Sequence, residues 1–146
     1  MSESSTNLAR RVAETLLSRE GTGAVWGLEI EAAGEGYSRV AMRVTPDMLN
    51  GHGIAHGGMI FALADSAFAY ACNSRGVATV SVSSTISFVD SAQAGERLVA
   101  EAVERALKGR SGIYAISVTG EDGRAIAEMQ GLSRSLGRPV IEEDEQ

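Results

Sequence analysis

In the stretch LNGHGIAHGGMIFALADSA, residues 49–67, a single carboxylate, Asp65, interrupts a run otherwise suited to a hydrophobic core. Burying an unpaired carboxylate is costly, and perturbed acids gather where chemistry is done. Asp65 therefore reads as a candidate functional group; the competing reading is a structural carboxylate bonded to nearby backbone or to Ser66. Just upstream lies the step Gly57-Gly58. The first N–H groups of a helix are unpaired and carry partial positive charge. Glycines leave them unshielded, so a carbonyl oxygen or an oxyanion can rest on them. The same glycines would also serve a tight loop-to-helix turn. Asn50 offers an amide N–H to a ligand carbonyl. His56 reads first as a cap or brace of its loop, and His52 as an exposed loop residue. Cys72, further along the same apolar run, reads as core.

Asp65 follows Gly57 by eight positions. On a helix that is roughly 12 Å of axial rise. One carbonyl group cannot touch both within a single chain. A two-fold dimer removes the difficulty: with the helices of two subunits side by side, Asp65 of one faces the partner subunit's Gly57. The site would then lie at a subunit interface, twice per dimer.

The elements that must hold these residues follow from periodicity. Ser4 to Asn7 offer N-caps, and Leu8, Val12 and Leu16 recur every fourth position, predicting a helix over 7–20. GTG at 21–23 is expected to end it, with VWGLEIEAAGEG reading as a strand and a glycine turn. YSRVAMRVTP alternates as a strand closed by Pro46. Residues 57–74 read as one apolar helix with alanines that permit close approach. GVATVSVSSTISFVD alternates, with Val80, Val82, Ile86 and Phe88 on one face and the hydroxyls on the other. SGIYAISVTG and RAIAEMQGLSRSL flank a hairpin signal, EDG. GERLVAEAVERALKG has helical spacing and good helix formers, so local rules predict a helix there. Residues 140–146, ending in EEDEQ, read as a flexible acidic tail. A lone apolar helix among strands predicts an α+β fold with the sheet wrapped around the helix.

The chain has 146 residues, 44% of them apolar and 22% charged, which suits one domain with a real core. A net charge of −6 without a basic stretch argues against a nucleic-acid partner. The run Met59–Cys72 is too short to span a bilayer. The polar N-terminus carries no secretory pattern, and a single cysteine excludes an internal disulfide, so the cytoplasm is the expected compartment. No Cys/His cluster has zinc spacing, and no metal or organic cofactor is implied.

The segment LNGHGIAHGGMIFALADSAFAYACNS strongly resembles the signature of hot-dog-fold acyl-CoA thioesterases, closest to their phenylacetate-pathway branch. The likeness rests on an Asn, a His-Gly-Gly opening the central helix, and an Asp followed by Ser. It extends more weakly through VSSTISFVDSAQAGERLVAEA to the final hairpin. The resemblance implies a curved antiparallel sheet around helix 57–74, a strand rather than a helix over 96–108, and a dimer with shared sites, usually paired into a tetramer. It implies that Gly57 supplies an oxyanion-hole N–H, that Asn50 binds or orients the thioester carbonyl, and that Asp65 of the facing subunit is the catalytic carboxylate. A hydroxyl on the strand after the helix would position water, with Ser81 the first candidate and Ser83 or Ser84 next. Ser66 and His56 are supporting groups. Lys108, Arg110, Arg134 and Arg138 are the candidates for the CoA phosphates. The chain departs from many relatives in having Ser91 where they carry Pro, which reads as a changed turn. The implied substrate is phenylacetyl-CoA or a hydroxylated or ring-modified relative, with medium-chain acyl-CoA close behind. Two other readings use the same fold: a hydroxyacyl-thioester dehydratase pairing His52 with Asp65, and a non-catalytic acyl-CoA-binding module. The first is opposed by His-Gly-Gly where dehydratases carry Pro-Gly, the second by the acidic chain and the short segment before the first strand.

Overall fold

The computed structural model describes residues 3–142. Two helices, α1 (Ser5–Arg19) and α2 (Gly21–Trp26), precede strands β1 (Glu29–Gly34) and β2 (Tyr37–Arg43). A loop with one 3₁₀ turn leads to α3 (Gly57–Cys72), followed by β3 (Val77–Phe88), β4 (Arg97–Lys108), β5 (Ser111–Thr119) and β6 (Ala125–Pro139). All six strands form one antiparallel sheet in the order β1-β2-β4-β5-β6-β3. Helix α3 touches every strand. Six strands laid flat would span roughly 24 Å, about twice the width of a helix. The sheet therefore curls around α3, and the expected wrapped α+β architecture is present.

Ser4 caps α1, its hydroxyl accepting from the Asn7 N–H at 3.1 Å. The helix buries Ala9, Val12 and Ala13. GTG does not lead into a strand: residues 21–26 form the short α2, and Gly27 ends it at φ 64°. The strand starts only at Glu29. Residues 97–108 are a strand, β4, as the resemblance implies and against local propensity. Leu98, Ala100 and Ala102 alternate into the core under a surface of helix formers, and β4 is hydrogen-bonded on both sides, by β2 and β5. Tertiary pairing outweighs a propensity of a few tenths of a kcal/mol per residue. The alternation read along β3 also fails in one respect. Its register with β6 slips between Ser81 and Ser83, so the phase changes at Val82. Thr79, Ser81, Ser84, Ile86 and Phe88 thus share the helix-facing side, while Val80 and Val82 are 44% and 56% exposed.

One side of α3 fills the curl. Leu63, Ala64, Ala67, Phe68 and Ala71 pack on Val40, Met42, Leu98, Ile116 and Met129. Gly131 on β6 makes room for the Phe68 ring, which lies 5.4 Å from Tyr114. The other side of α3 is only half-buried: Phe61, Ala62, Asp65, Ser66 and Ala69. Ser91 sits in a turn fastened by Arg124, whose guanidinium donates to the Ser91 carbonyl at 2.6 Å and pairs with Glu96. Val140 and Ile141, counted with the tail from sequence, are buried beside Val12; residues 143–146 lie outside the described residues. Among the described residues no helix is long and apolar enough to cross a membrane.

Candidate active site

Asp65 lies midway along α3 on its half-buried side. Its carboxylate accepts no hydrogen bond from any described residue. Ser66, the expected local partner, instead donates to the Ala62 carbonyl at 2.8 Å. Burial holds the Asp65 pKa above the ordinary aspartate value, which makes the carboxylate a stronger base. Two cavities open on it. One, of about 370 Å³, is walled by Trp26, Phe61, Ala62 and Ser66, with Glu20 and Thr22 from the N-terminal helices. The other, of about 210 Å³, runs between α3 and β3 and is lined by Phe68, Cys72, Thr79, Val80 and Ser81. Ser81 therefore shares a cavity with Asp65; its hydroxyl lies 3.5 Å from that of Ser84. Ser83 is exposed beyond the bulge and lines neither cavity.

The other group of candidates gathers at the N-terminus of the same helix. His56 is its N-cap, and the Nδ1 atom accepts from the Gly58 N–H at 2.8 Å. That bond fixes Nδ1 as the unprotonated ring nitrogen. The Gly57 N–H donates to no described acceptor. The cap therefore occupies the second amide and leaves the first available. A Cβ at Gly57 would stand 3.1 Å from Phe88 Cζ, so the strand closes over this end of the helix. Asn50 organises the preceding loop. Its Oδ1 accepts from the N–H groups of His52 and Ile54, at 2.9 and 3.4 Å. Its Nδ2 hydrogens have no described acceptor. His52 is exposed and lines neither Asp65 cavity.

Within one chain the two groups stay apart: α3 runs unbroken from Gly57 through Asp65, and the cavities lined by Asp65 include neither Gly57 nor His56. Cys72 behaves as core, its thiol pushed up to about 12 by burial and by the nearby Asp65 charge. The four cationic candidates collect at one end of the sheet. Lys108 pairs with Ser111, Ser111 with Arg134, and the Arg110 carbonyl accepts from the Ser135 N–H at 2.7 Å. Lys108, Arg110, Arg134 and Arg138 are all exposed and make no ion pair with a described residue. Glu20 and Tyr70 escaped the sequence reading. Glu20 sits between two helices with no motif around it, and only folding brings it to Tyr70, whose hydroxyl donates to both carboxylate oxygens at 3.0 and 2.9 Å.

A family model described as the thioesterase superfamily matches residues 52–127. The acyl-coenzyme A thioesterase PaaI of Escherichia coli (strain K12) is 41% identical over 117 residues, spanning 80% of this chain and 84% of that protein. The solved structure of the E. coli PaaI protein from the phenylacetic acid degradation operon superposes with a TM-score of 0.91 at 37% identity, over 93% of this chain and 99% of that one. The TT0310 protein from Thermus thermophilus superposes with a TM-score of 0.77 at 39% identity, over 81% of this chain and 99% of that one.

Proposed function

The chain belongs to the thioesterase superfamily and is an acyl-CoA thioesterase of the hot-dog fold; on that premise we propose that it hydrolyses phenylacetyl-CoA or related aromatic acyl-CoAs, using Asp65 and the N-terminus of α3 from two different subunits. The observation that carries this reading is the pairing of a half-buried carboxylate without a partner and an unshielded helix amide on the same α3. The thioester carbonyl points at the Gly57 N–H, with Asn50 Nδ2 beside it. Charge grows on that oxygen as the tetrahedral intermediate forms, and the amide stabilises it there. Asp65 either takes a proton from water as the water attacks, or attacks the carbonyl itself to give a mixed anhydride that water then opens. Both routes release the acid and the CoA thiol. Ser81, which lines a cavity with Asp65, is the hydroxyl assigned to hold that water. Lys108, Arg110, Arg134 and Arg138 supply positive charge for the CoA phosphates.

The dimer is supported by the sheet's edge. Strand β3 ends the sheet with twelve residues and several exposed apolar side chains, an open invitation to pairing. Its Ser81 end lies by Asp65 and its Phe88 end by Gly57. Two copies of β3 run antiparallel about a two-fold axis would set Asp65 beside the partner subunit's Gly57. The half-buried Phe61, Ala62 and Ala69 would be covered in the same step. A tetramer of two such dimers in the cytoplasm is the expected form. A relative that bears on the acyl group is the E. coli PaaI protein, which is named an acyl-coenzyme A thioesterase and whose solved structure is described as from the phenylacetic acid degradation operon.

The test is thiol release from phenylacetyl-, hydroxyphenylacetyl-, benzoyl-, hexanoyl- and acetyl-CoA by wild type and Asp65→Asn. Release that Asp65→Asn lowers by about 10² or more supports the mechanism, and the fastest substrate identifies the acyl class. A folded protein that releases no thiol but hydrates crotonyl-CoA would turn the assignment to the dehydratase.

A further inference from the structure

The acyl side of the site carries a second carboxylate that the hydrolysis does not use. Glu20 lines the 370 Å³ cavity with Asp65, and the other walls are Thr22, Trp26, Phe61, Ala62, Ser66 and Ala69. Among the described residues no lysine or arginine lines that cavity. Glu20 is not free to swing away: the Tyr70 hydroxyl, on a residue with no exposed surface, holds both of its carboxylate oxygens. Burial raises the Glu20 pKa, the Tyr70 hydrogen bond opposes that by favouring the charged form, and the Asp65 charge raises it again, so the two acids sense each other across the space. Arginines do occur nearby, Arg19 and Arg138, but in the adjoining cavity on the far side of Glu20 and Ala69.

Resting on the thioesterase reading and on this cavity as the acyl pocket, we propose that Glu20, fixed by Tyr70, is a charge filter that admits neutral acyl groups and excludes those ending in a carboxylate. An ω-carboxylate in the pocket would leave water to lie beside two fixed negative charges, with no cation to pair with among the described residues that line it. In a half-buried site such like-charge contact is far less screened than in water. A neutral aromatic or aliphatic group meets only Trp26, Phe61 and the alanines, and loses nothing to Glu20. The filter thus belongs to one end of the substrate only, since the anionic CoA end faces the exposed cations at the sheet's end.

The experiment compares three CoA thioesters of matched chain: hexanoyl-CoA, adipyl-CoA and the ω-methyl ester of adipyl-CoA. In wild type, kcat/KM for adipyl-CoA falls at least about 50-fold below that of its methyl ester. Glu20→Gln keeps the shape and an acceptor for Tyr70 and narrows the gap about tenfold. Raising ionic strength narrows the wild-type gap more than the Glu20→Gln gap. Affinities of the corresponding non-hydrolysable thioethers, measured by calorimetry, report the same ratios without turnover. A gap that Glu20→Gln leaves unchanged in both measurements, or no gap in wild type, overturns the filter. Loss of thiol release from all three thioesters, with the thioether ratio intact, would instead overturn the hydrolytic reading and leave the filter standing.

Discussion

Asp65 holds its charge in a half-buried place where no described residue hydrogen-bonds or pairs with it, and this has a consequence for stability as well as rate. Burial raises its folded-state pKa above the unfolded value. The folded protein then binds the proton more tightly than the unfolded chain does, so the ionised group destabilises. The penalty is absent below the unfolded carboxylate range, at about pH 4, and grows as pH rises through the folded pKa to its full size at neutral pH. Asp65→Asn is therefore expected to lose about 10² or more in kcat while unfolding at a higher temperature than wild type at pH 7. Thermal melts should show that advantage shrinking as pH is lowered towards about 4. At the other end of α3 the fixed partner is His56. His56→Ala removes the Gly58 cap and should cost about 1 kcal/mol of stability in denaturant melts. Its loss of kcat should be smaller than that of Asp65→Asn, because the Gly57 amide itself remains.

At the scale of the element, α3 works because its two sides differ. One is locked in the sheet's curl and the other is left half-open around Asp65. The lock is steric at Gly131, where an added Cβ would approach the Phe68 ring to 2.5 Å. Phe68 is 1% exposed and tilted against the Tyr114 ring, so it cannot yield cheaply. Gly131→Ala is expected to destabilise by about 1–3 kcal/mol, read as a lower midpoint in urea. Strand β4 illustrates the limits of local reading. Its residues favour a helix, yet β2 and β5 claim both of its edges. In β3 the alternation was legible in the sequence, but the bulge at Val82 was not. That one-residue slip decides that Ser81 rather than Ser83 faces the aspartate's cavity. The N-terminal region departs from its local pattern in the same way: GTGAVW has weak helix propensity but forms α2, and α2 is what brings Thr22 and Trp26 to the site.

For the whole molecule, the open edge of β3 and the half-buried stripe of α3 are the two surfaces that the proposed dimer would cover. Val82→Lys puts a charge on the exposed apolar edge. It is expected to shift the protein towards monomer in sedimentation velocity and to lower thiol release in parallel, since the proposed site needs two chains. A mixing experiment tests the sharing directly. Asp65→Ala subunits and Gly57→Val subunits, each inactive alone, should regain activity once exchanged, because one site in each mixed dimer is then intact. If exchange is demonstrated and no activity returns, one chain supplies both groups.

The sequence by itself determined the site's ingredients. An unpaired acid in an apolar run and glycines at a helix start are local facts, and the eight-residue spacing already puts Asp65 and Gly57 too far apart for one carbonyl group to touch both within a chain. The chemical identity of those residues and the period of α3 needed no tertiary knowledge. What only the tertiary structure decided is which groups meet across the chain. Glu20 reaches Tyr70, fifty positions away, because α1 and α2 fold back over α3. The strand over 97–108 exists because neighbours pair with both of its edges. Non-local hydrogen bonds and burial set those outcomes, and neither is written in the propensity of any short segment.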